Sequence, residues 1–283
     1  MSFTNEIEAT ASIGATPHAQ KTLKQELQER MEEFLNMDRF TLVIQPVVNF
    51  RNNAVRDGEA LSRLEHPERG VIFPDEFLPA IDVMGLYPAF DRYVFEKTCV
   101  WLHRSRTEGT EFDILSCNFS RKTLSEADIA QDMILIADSY GIPHSQLGVE
   151  ITEREPSSNE EQLIKNLHVL KEAGFRIILD DYGDGVTSMN DLLQYPVDIL
   201  KIDRSLLWKA VSEQEKAEFC AMVSTFIEMG AEVVCEGIET EEQDRLARDA
   251  GCHYGQGFLY FKPLCQNRFY EMMKQASLTA EDA

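Results

Sequence analysis

No stretch of the 283 residues comes near the roughly 18 consecutive apolar side chains of a membrane-spanning helix. Nor does the N-terminus carry the basic segment and apolar run of a secretory signal. Positive charge is also scarce: 27 Lys and Arg stand against 49 Asp and Glu, a formal charge of −22. That argues against a surface that wraps DNA or RNA duplex or lies on anionic lipid, because both need a cationic face. A small anionic ligand stays compatible if metal ions or a few local cations cancel its charge. There is no C-x-x-C pair among the six cysteines, Cys99, Cys117, Cys220, Cys235, Cys252 and Cys265. Reduced thiols in a cytoplasmic protein are therefore expected rather than a disulfide framework or a structural zinc site.

What is present suits one large folded unit, since 43% hydrophobic content over this length buries a single sizeable core. Residues 1–20 are small, polar and aperiodic and read as a mobile leader, and residues 276–283 as a tail, which leaves 21–275 as the folded domain. From Lys21 the spacing of Leu23, Leu27, Met31, Phe34 and Leu35 predicts a helix that docks on that domain. Eight β-type runs follow, at 41–50, 54–64, 112–119, 147–151, 175–181, 197–203, 231–237 and 254–261. Amphipathic helical stretches lie between them, and that alternation predicts an α/β protein of the (β/α)8, TIM-like type. A doubly wound open sheet is the alternative, but no G-x-G-x-x-G follows the first strand.

Strands of such a barrel are buried on both faces, so a charge inside one is costly unless it sits at the rim. Glu59, Asn118, Glu150, Asp180, Asp181, Lys201, Asp203 and Glu236 fall at or near the ends of successive runs. A single Glu or Asp at a strand end is more often the N-cap of the next helix than a ligand. Together, carboxylates converging on one lysine would repel one another without cations. Oxygen-only donors favour Mg²⁺, Mn²⁺ or Ca²⁺ over zinc. The adjacent pair Asp180 and Asp181 suits two ions a few ångströms apart, which would activate water against a phosphoryl group. Lys201 is then either a cation that positions the nucleophile or simply the partner of a buried ion pair. The histidines show no ligand spacing.

These residues resemble a known family. Glu59-Ala60-Leu61, followed by Ser62 and Arg63, is similar to the signature of EAL domains, bacterial phosphodiesterases of cyclic di-GMP. The likeness continues in order through QPVV at 45–48, PDEFLP at 74–79, CNFS at 117–120, EITE at 150–153, DDYGDG at 180–185, LKIDRS at 200–205, EGIET at 236–240 and QGFLYFKP at 256–263. The resemblance implies a barrel whose first strand runs antiparallel to its neighbours. It implies a two-metal site for Mg²⁺ or Mn²⁺, with Glu59, Asn118, Glu150 and Asp180 on one ion and Asp180 and Asp181 on the other. Lys201, Glu236 and Glu59 would carry catalysis, and Glu153 would steady a loop. Gln45, Arg63, Asp203 and Gln256 would contact substrate, Arg63 toward a phosphate. The implied reaction hydrolyses cyclic di-GMP to linear pGpG, in a homodimer. Asp184 and Val186 depart from the family's usual loop, and for that reason a cyclic di-GMP sensor or protein-interaction module without turnover is carried as the second reading. An unrelated two-metal barrel hydrolase is the third.

Overall fold

The computed structural model describes residues 22–110, 112–152, 159–184 and 189–281. In chain order the elements are α1 (Leu23–Asn36), β1 (Phe40–Asn49), β2 (Val55–His66), β3 (Gly70–Ile72), α2 (Pro74–Val83), α3 (Tyr87–Thr107), β4 (Ile114–Ser120), α4 (Arg121–Leu124), α5 (Ile129–Ser139), β5 (Leu147–Thr152) and α6 (Glu160–Ala173). They continue with β6 (Arg176–Tyr182), α7 (Met189–Gln194), β7 (Ile199–Ile202), α8 (Arg204–Lys209), α9 (Glu213–Glu228), β8 (Glu232–Cys235), α10 (Glu241–Asp249), β9 (Tyr254–Gly255), β10 (Leu264–Cys265) and α11 (Gln266–Glu281).

Eight of the strands close a barrel in the order β1-β2-β4-β5-β6-β7-β8-β9. β1 is antiparallel to both neighbours, pairing Gln45 with Glu59 on β2 and Val48 with Gly255 on β9. All the other barrel pairs are parallel, so the first strand is reversed as the resemblance implies. Most of the core lies between strands and helices, where Phe95, Phe119, Leu167 and Val223 are buried. A second, small cluster of Val47, Ile178, Ile199 and Val234 fills the lumen below the rim. α1 starts on a capping box between Thr22 and Gln25, packs beside α2 and buries Leu27, Met31 and Phe34. Among the described residues no helix is long and apolar enough to cross a membrane.

The eighth run is shorter than its β-rich sequence suggests, because only Tyr254–Gly255 joins the ladder. Beyond it the chain folds back on Ile238, which donates to the Gln256 carbonyl at 3.1 Å and accepts from Leu259 at 3.0 Å. Gly257 allows this approach, since a Cβ there would lie 2.1 Å from the Ile238 carbonyl oxygen. β3, β10 and α8 are too short to show a period in the sequence. α11 extends helically to Glu281, into the segment expected as a tail. The expected leader at 1–20 lies outside the described residues.

Candidate active site at the barrel mouth

The parallel strands deliver their C-terminal ends to one rim, where a barrel of this type carries its site. Lys201 of β7 is at the centre. Its Nζ lies 2.8 Å from Glu236 Oε1, 2.9 Å from Glu150 Oε2, 3.0 Å from Glu59 Oε2 and 3.0 Å from Asp180 Oδ1. Glu59 comes from β2, Glu150 from β5 and Asp180 from β6. Glu236 follows β8 directly and is fixed by its backbone N–H, which donates to Ile202 at 3.1 Å. Asn118 Nδ2 on β4 donates to Glu59 Oε1 at 2.7 Å. Gln256 Nε2 donates to the other oxygen of Glu59 at 3.1 Å. The Ser116 hydroxyl donates to Glu150.

Asp180 and Asp181 are neighbours on a strand, and regular strands send neighbours to opposite faces. β6 escapes this rule through a bulge. Its pairing with β7 steps from Leu179↔Leu200 to Tyr182↔Ile202, three residues against two. Within that step Asp181 takes φ 51°, the left-handed region that costs an ordinary residue about 1 kcal/mol. One carboxylate oxygen each from Asp180, Asp181 and Glu236 then lie within 4.8 Å of one another. Gly183 closes the turn at φ 112°, where a Cβ would meet Leu206 Cδ1 at 2.2 Å.

The electrostatics follow from burial of several acids beside a single ammonium. Burial, with the Glu59 charge beside it, pushes Glu150 up to about 8. Asp180 and Glu236 are also raised, chiefly by burial. Burial works against the charge on Lys201, but Asp180, Glu150, Glu236 and Glu59 outweigh it and hold the lysine well above its ordinary value. Only Glu59 is lowered: burial opposes this, and Lys201 with the Asn118 and Gln256 hydrogen bonds prevails. Acids that resist joint ionisation, on oxygen donors only, fit a divalent cation. The amide oxygen of Gln256 is buried and without a hydrogen-bond partner among the described residues, on the same side chain whose Nε2 donates to Glu59.

A cleft of about 510 Å³ opens beside this cluster, lined by Gln45, Glu59, Asp181, Asp203, Glu236 and Gln256 among others. Gln45 is fixed by its Nε2 donating to the Phe261 carbonyl at 2.7 Å. Asp203 takes the N-cap role open to any acid at a strand end. Its carboxylate caps α8, accepting from the Ser205 amide at 2.8 Å, and it is not among the partners of Lys201. Arg63 lies apart from the cleft, on a neighbouring groove. Glu153 and Val186 fall outside the described residues. Ser116 escaped the sequence reading, although it stands two residues before Asn118 and so shares its strand face. Asp184 and Arg204 also line the cleft, from loop and short-helix positions that carry no period.

A closed (β/α)8 barrel with clustered acids, an amide and a buried lysine at its C-terminal rim belongs to the barrel proteins that work at that face. The chain belongs to the EAL domain family, whose model matches residues 25–263. It is similar to Cyclic di-GMP phosphodiesterase NbdA of Pseudomonas aeruginosa, 29% identical over 86% of this chain and 31% of that protein. It is 30% identical to Probable cyclic di-GMP phosphodiesterase PdeB of Escherichia coli K12, over 87% of this chain and 47% of that one. The chain thus spans less than half the length of either relative. Among solved structures it resembles the PaMucR phosphodiesterase in complex with c-di-GMP, with a TM-score of 0.78 and 27% identity over 86% of this chain and 99% of that one.

Proposed function

We propose that the chain is a cyclic di-GMP phosphodiesterase that uses two divalent cations, Mg²⁺ or Mn²⁺, to open one phosphodiester bond and release linear pGpG. One observation carries this reading: the bulge in β6 aims Asp180 and Asp181 together at Glu236, beside a lysine already surrounded by acids. Glu59, Asn118, Glu150 and Asp180 would hold one ion, and Asp180 with Asp181 the other. Bound there, the ions would acidify water and neutralise charge gathering on the phosphate. Lys201 holds Glu59, Glu150, Asp180 and Glu236 in a fixed array and orients the attacking water. Glu236, held 2.8 Å from Lys201 Nζ, accepts a proton from that water as its ionised carboxylate. Gln45, Gln256 and Asp203 form the walls of the cleft that receives the dinucleotide, and Arg63 binds a phosphate beyond it. Glu153 would steady the loop after β6.

Homodimerisation and a cytoplasmic location belong to the same reading. The names of the phosphodiesterase relatives support the substrate, and six free cysteines suit a reducing compartment. The decisive experiment incubates the purified chain with cyclic di-GMP and Mg²⁺, Mn²⁺ or EDTA and separates the products by chromatography. pGpG is expected with either ion and none with EDTA. Tight calorimetric binding with no product in any condition would replace the enzyme reading with that of a sensor. Sedimentation velocity tests the dimer.

A further inference from the structure

The end of the barrel away from the acid cluster carries a groove of its own. β8 starts at Glu232, β9 starts at Tyr254 and the reversed β1 finishes at Asn49, so these residues meet at the face opposite the mouth. The groove there, of about 410 Å³, is lined by Asn49, Phe50, Arg51, Arg248, His253 and Tyr254 among others. That is the size of a small-molecule pocket, and the proposed activity makes no use of it.

This groove presents hydrogen-bond donors whose nearby acceptors are already engaged. Arg248 is held flat: its Cζ lies 4.1 Å from the Phe50 ring centroid, its Nε donates to Asp244 Oδ1 at 2.8 Å and its Nη1 to the Phe50 carbonyl at 3.2 Å. A guanidinium has more N–H groups than those bonds use, and Nη2 has no acceptor among the described residues. Arg51 is exposed on the β1–β2 hairpin and forms no ion pair among the described residues. His253 Nδ1 accepts from the Val233 amide at 3.1 Å, which leaves the ring proton on Nε2 as a further donor. Asn49 Oδ1 accepts from the Arg51 amide at 2.9 Å, while its Nδ2 makes no hydrogen bond among the described residues. The acids beside them are occupied: Asp244 receives Arg248 and the Tyr260 hydroxyl, and Glu232 receives Arg176 Nη2. On a chain that carries −22, such an excess of donors runs against the rest of the surface.

We infer that this groove binds a phosphate group, brought either by the free ion or by a phosphomonoester such as a nucleotide. A guanidinium grips two phosphate oxygens at once, and the stacking on Phe50 fixes the plane of Arg248 in advance. Arg51, His253 and Asn49 then supply donors to the remaining oxygens. Phosphate accepts hydrogen bonds on all sides, which suits donors arriving from β1, the hairpin, α10 and the start of β9 better than a planar carboxylate does. The rest of the groove, with Tyr254 on its wall, takes the organic part of a phosphomonoester. The site needs no metal and none of the acids around Lys201, so it stands apart from the proposed activity.

The test titrates the intact, nitrogen-labelled chain in EDTA with inorganic phosphate, 5′-GMP and guanosine and follows its amide resonances. EDTA strips divalent ions from the mouth, and the positions of the shifted amides separate the two ends of the barrel. Saturable shifts at 49–54 and 252–255 are expected with phosphate and 5′-GMP but not with guanosine. Equal affinities point to the free ion, and tighter binding of 5′-GMP to a phosphomonoester. Arg51→Ala, which removes no contact within the fold, should weaken both about tenfold through the loss of one charge-assisted hydrogen bond. Arg248→Lys should weaken them as much although it keeps the charge, because the planar fork is gone. Arg245→Ala, which deletes the same charge from α10 outside the groove lining, should leave affinity unchanged. Guanosine binding as well as 5′-GMP, the absence of saturable shifts at these amides, or an equal loss in Arg245→Ala overturns the assignment.

Discussion

Lys201 Nζ and Glu59 Oε2 sit 3.0 Å apart although 142 residues separate them in the chain. The contact spans the lumen from β7 to β2 and is one of four that Lys201 makes with carboxylates. Removing one partner of a buried charge array costs about 3–5 kcal/mol, because the remaining charges lose their compensation. Lys201→Met is therefore expected to lower stability by that order in EDTA, with the loss growing as pH rises and the acids ionise. Added Mg²⁺ should recover more stability in this variant than in the wild type, while turnover falls at least about a hundredfold. Melting curves at several pH values, with and without Mg²⁺, check this, and a pH-independent loss would contradict the array.

Asp181 presents the opposite balance. Its left-handed backbone stores strain, and its side chain is of use only to a ligand or to its polar neighbours. Asp181→Gly should leave the protein at least as stable as the wild type in EDTA, because glycine takes φ 51° without penalty. The same variant should lose most of the melting-temperature gain that Mg²⁺ produces. A marked destabilisation in EDTA would mean that the carboxylate braces the fold and that the bulge is structural.

Much of this was readable from the chain. The eight strands announce themselves as β-rich runs because parallel barrel strands are apolar on both faces. The charged residues closing them stand out against that background. The N-cap alternative, open for each acid in turn, applies to Asp203 alone among the described candidates, while Glu59, Glu150, Asp180 and Glu236 meet at Lys201. What could not be read was three-dimensional offset. The sequence gives no sign that β2 continues past the rim, which takes Arg63 out of the cleft, or that a fold-back on Ile238 cuts the eighth strand to two residues. Nor does local pattern distinguish Asp181 in a bulge from Asp181 facing outward.

Asp91 gives a pH-dependent prediction away from the acid cluster. It is buried in α3, and its Oδ2 accepts from the Ser120 amide at 2.9 Å and the Thr123 hydroxyl at 2.5 Å. Burial pushes this carboxyl from 3.8 up to about 6. Between those values the folded state holds a proton that the unfolded chain has released, so this residue's stabilising contribution is full below pH 3.8 and is lost as pH passes 6. The span is worth about 3 kcal/mol. Asp91→Asn can keep both acceptor contacts through its carbonyl and never ionises. Its stability relative to the wild type should rise from about pH 4 to 6 and then level off, as urea titrations across that range would show. A constant offset would mean that Asp91 ionises freely in the fold.

His66 decides whether α1 is part of the domain or an accessory to it. The imidazole is fully buried at the end of β2, and its Nδ1 accepts from the Glu68 and Arg69 amides, each at 3.2 Å. Those two bonds assign the proton to Nε2, which donates to Glu26 Oε1 on α1 at 3.0 Å. Glu26 also receives Arg69 Nε and Arg30 Nη1, both at 3.2 Å, and the Phe34 ring of α1 meets the imidazole edge-on at 5.4 Å between centroids. His66→Phe keeps the ring packing but removes the acceptor for two amides and the donor to Glu26, a cost of about 1–3 kcal/mol. Because those bonds join α1 to the β2–β3 turn and none reaches β5, β6 or β7, the loss should be local. Amide hydrogen exchange is expected to accelerate along α1 and through residues 66–72, while the strands opposite keep their protection. Equal acceleration in β5, β6 and β7 would show that α1 unfolds only with the whole barrel, and that the His66 contacts stabilise the domain rather than fasten the helix to it.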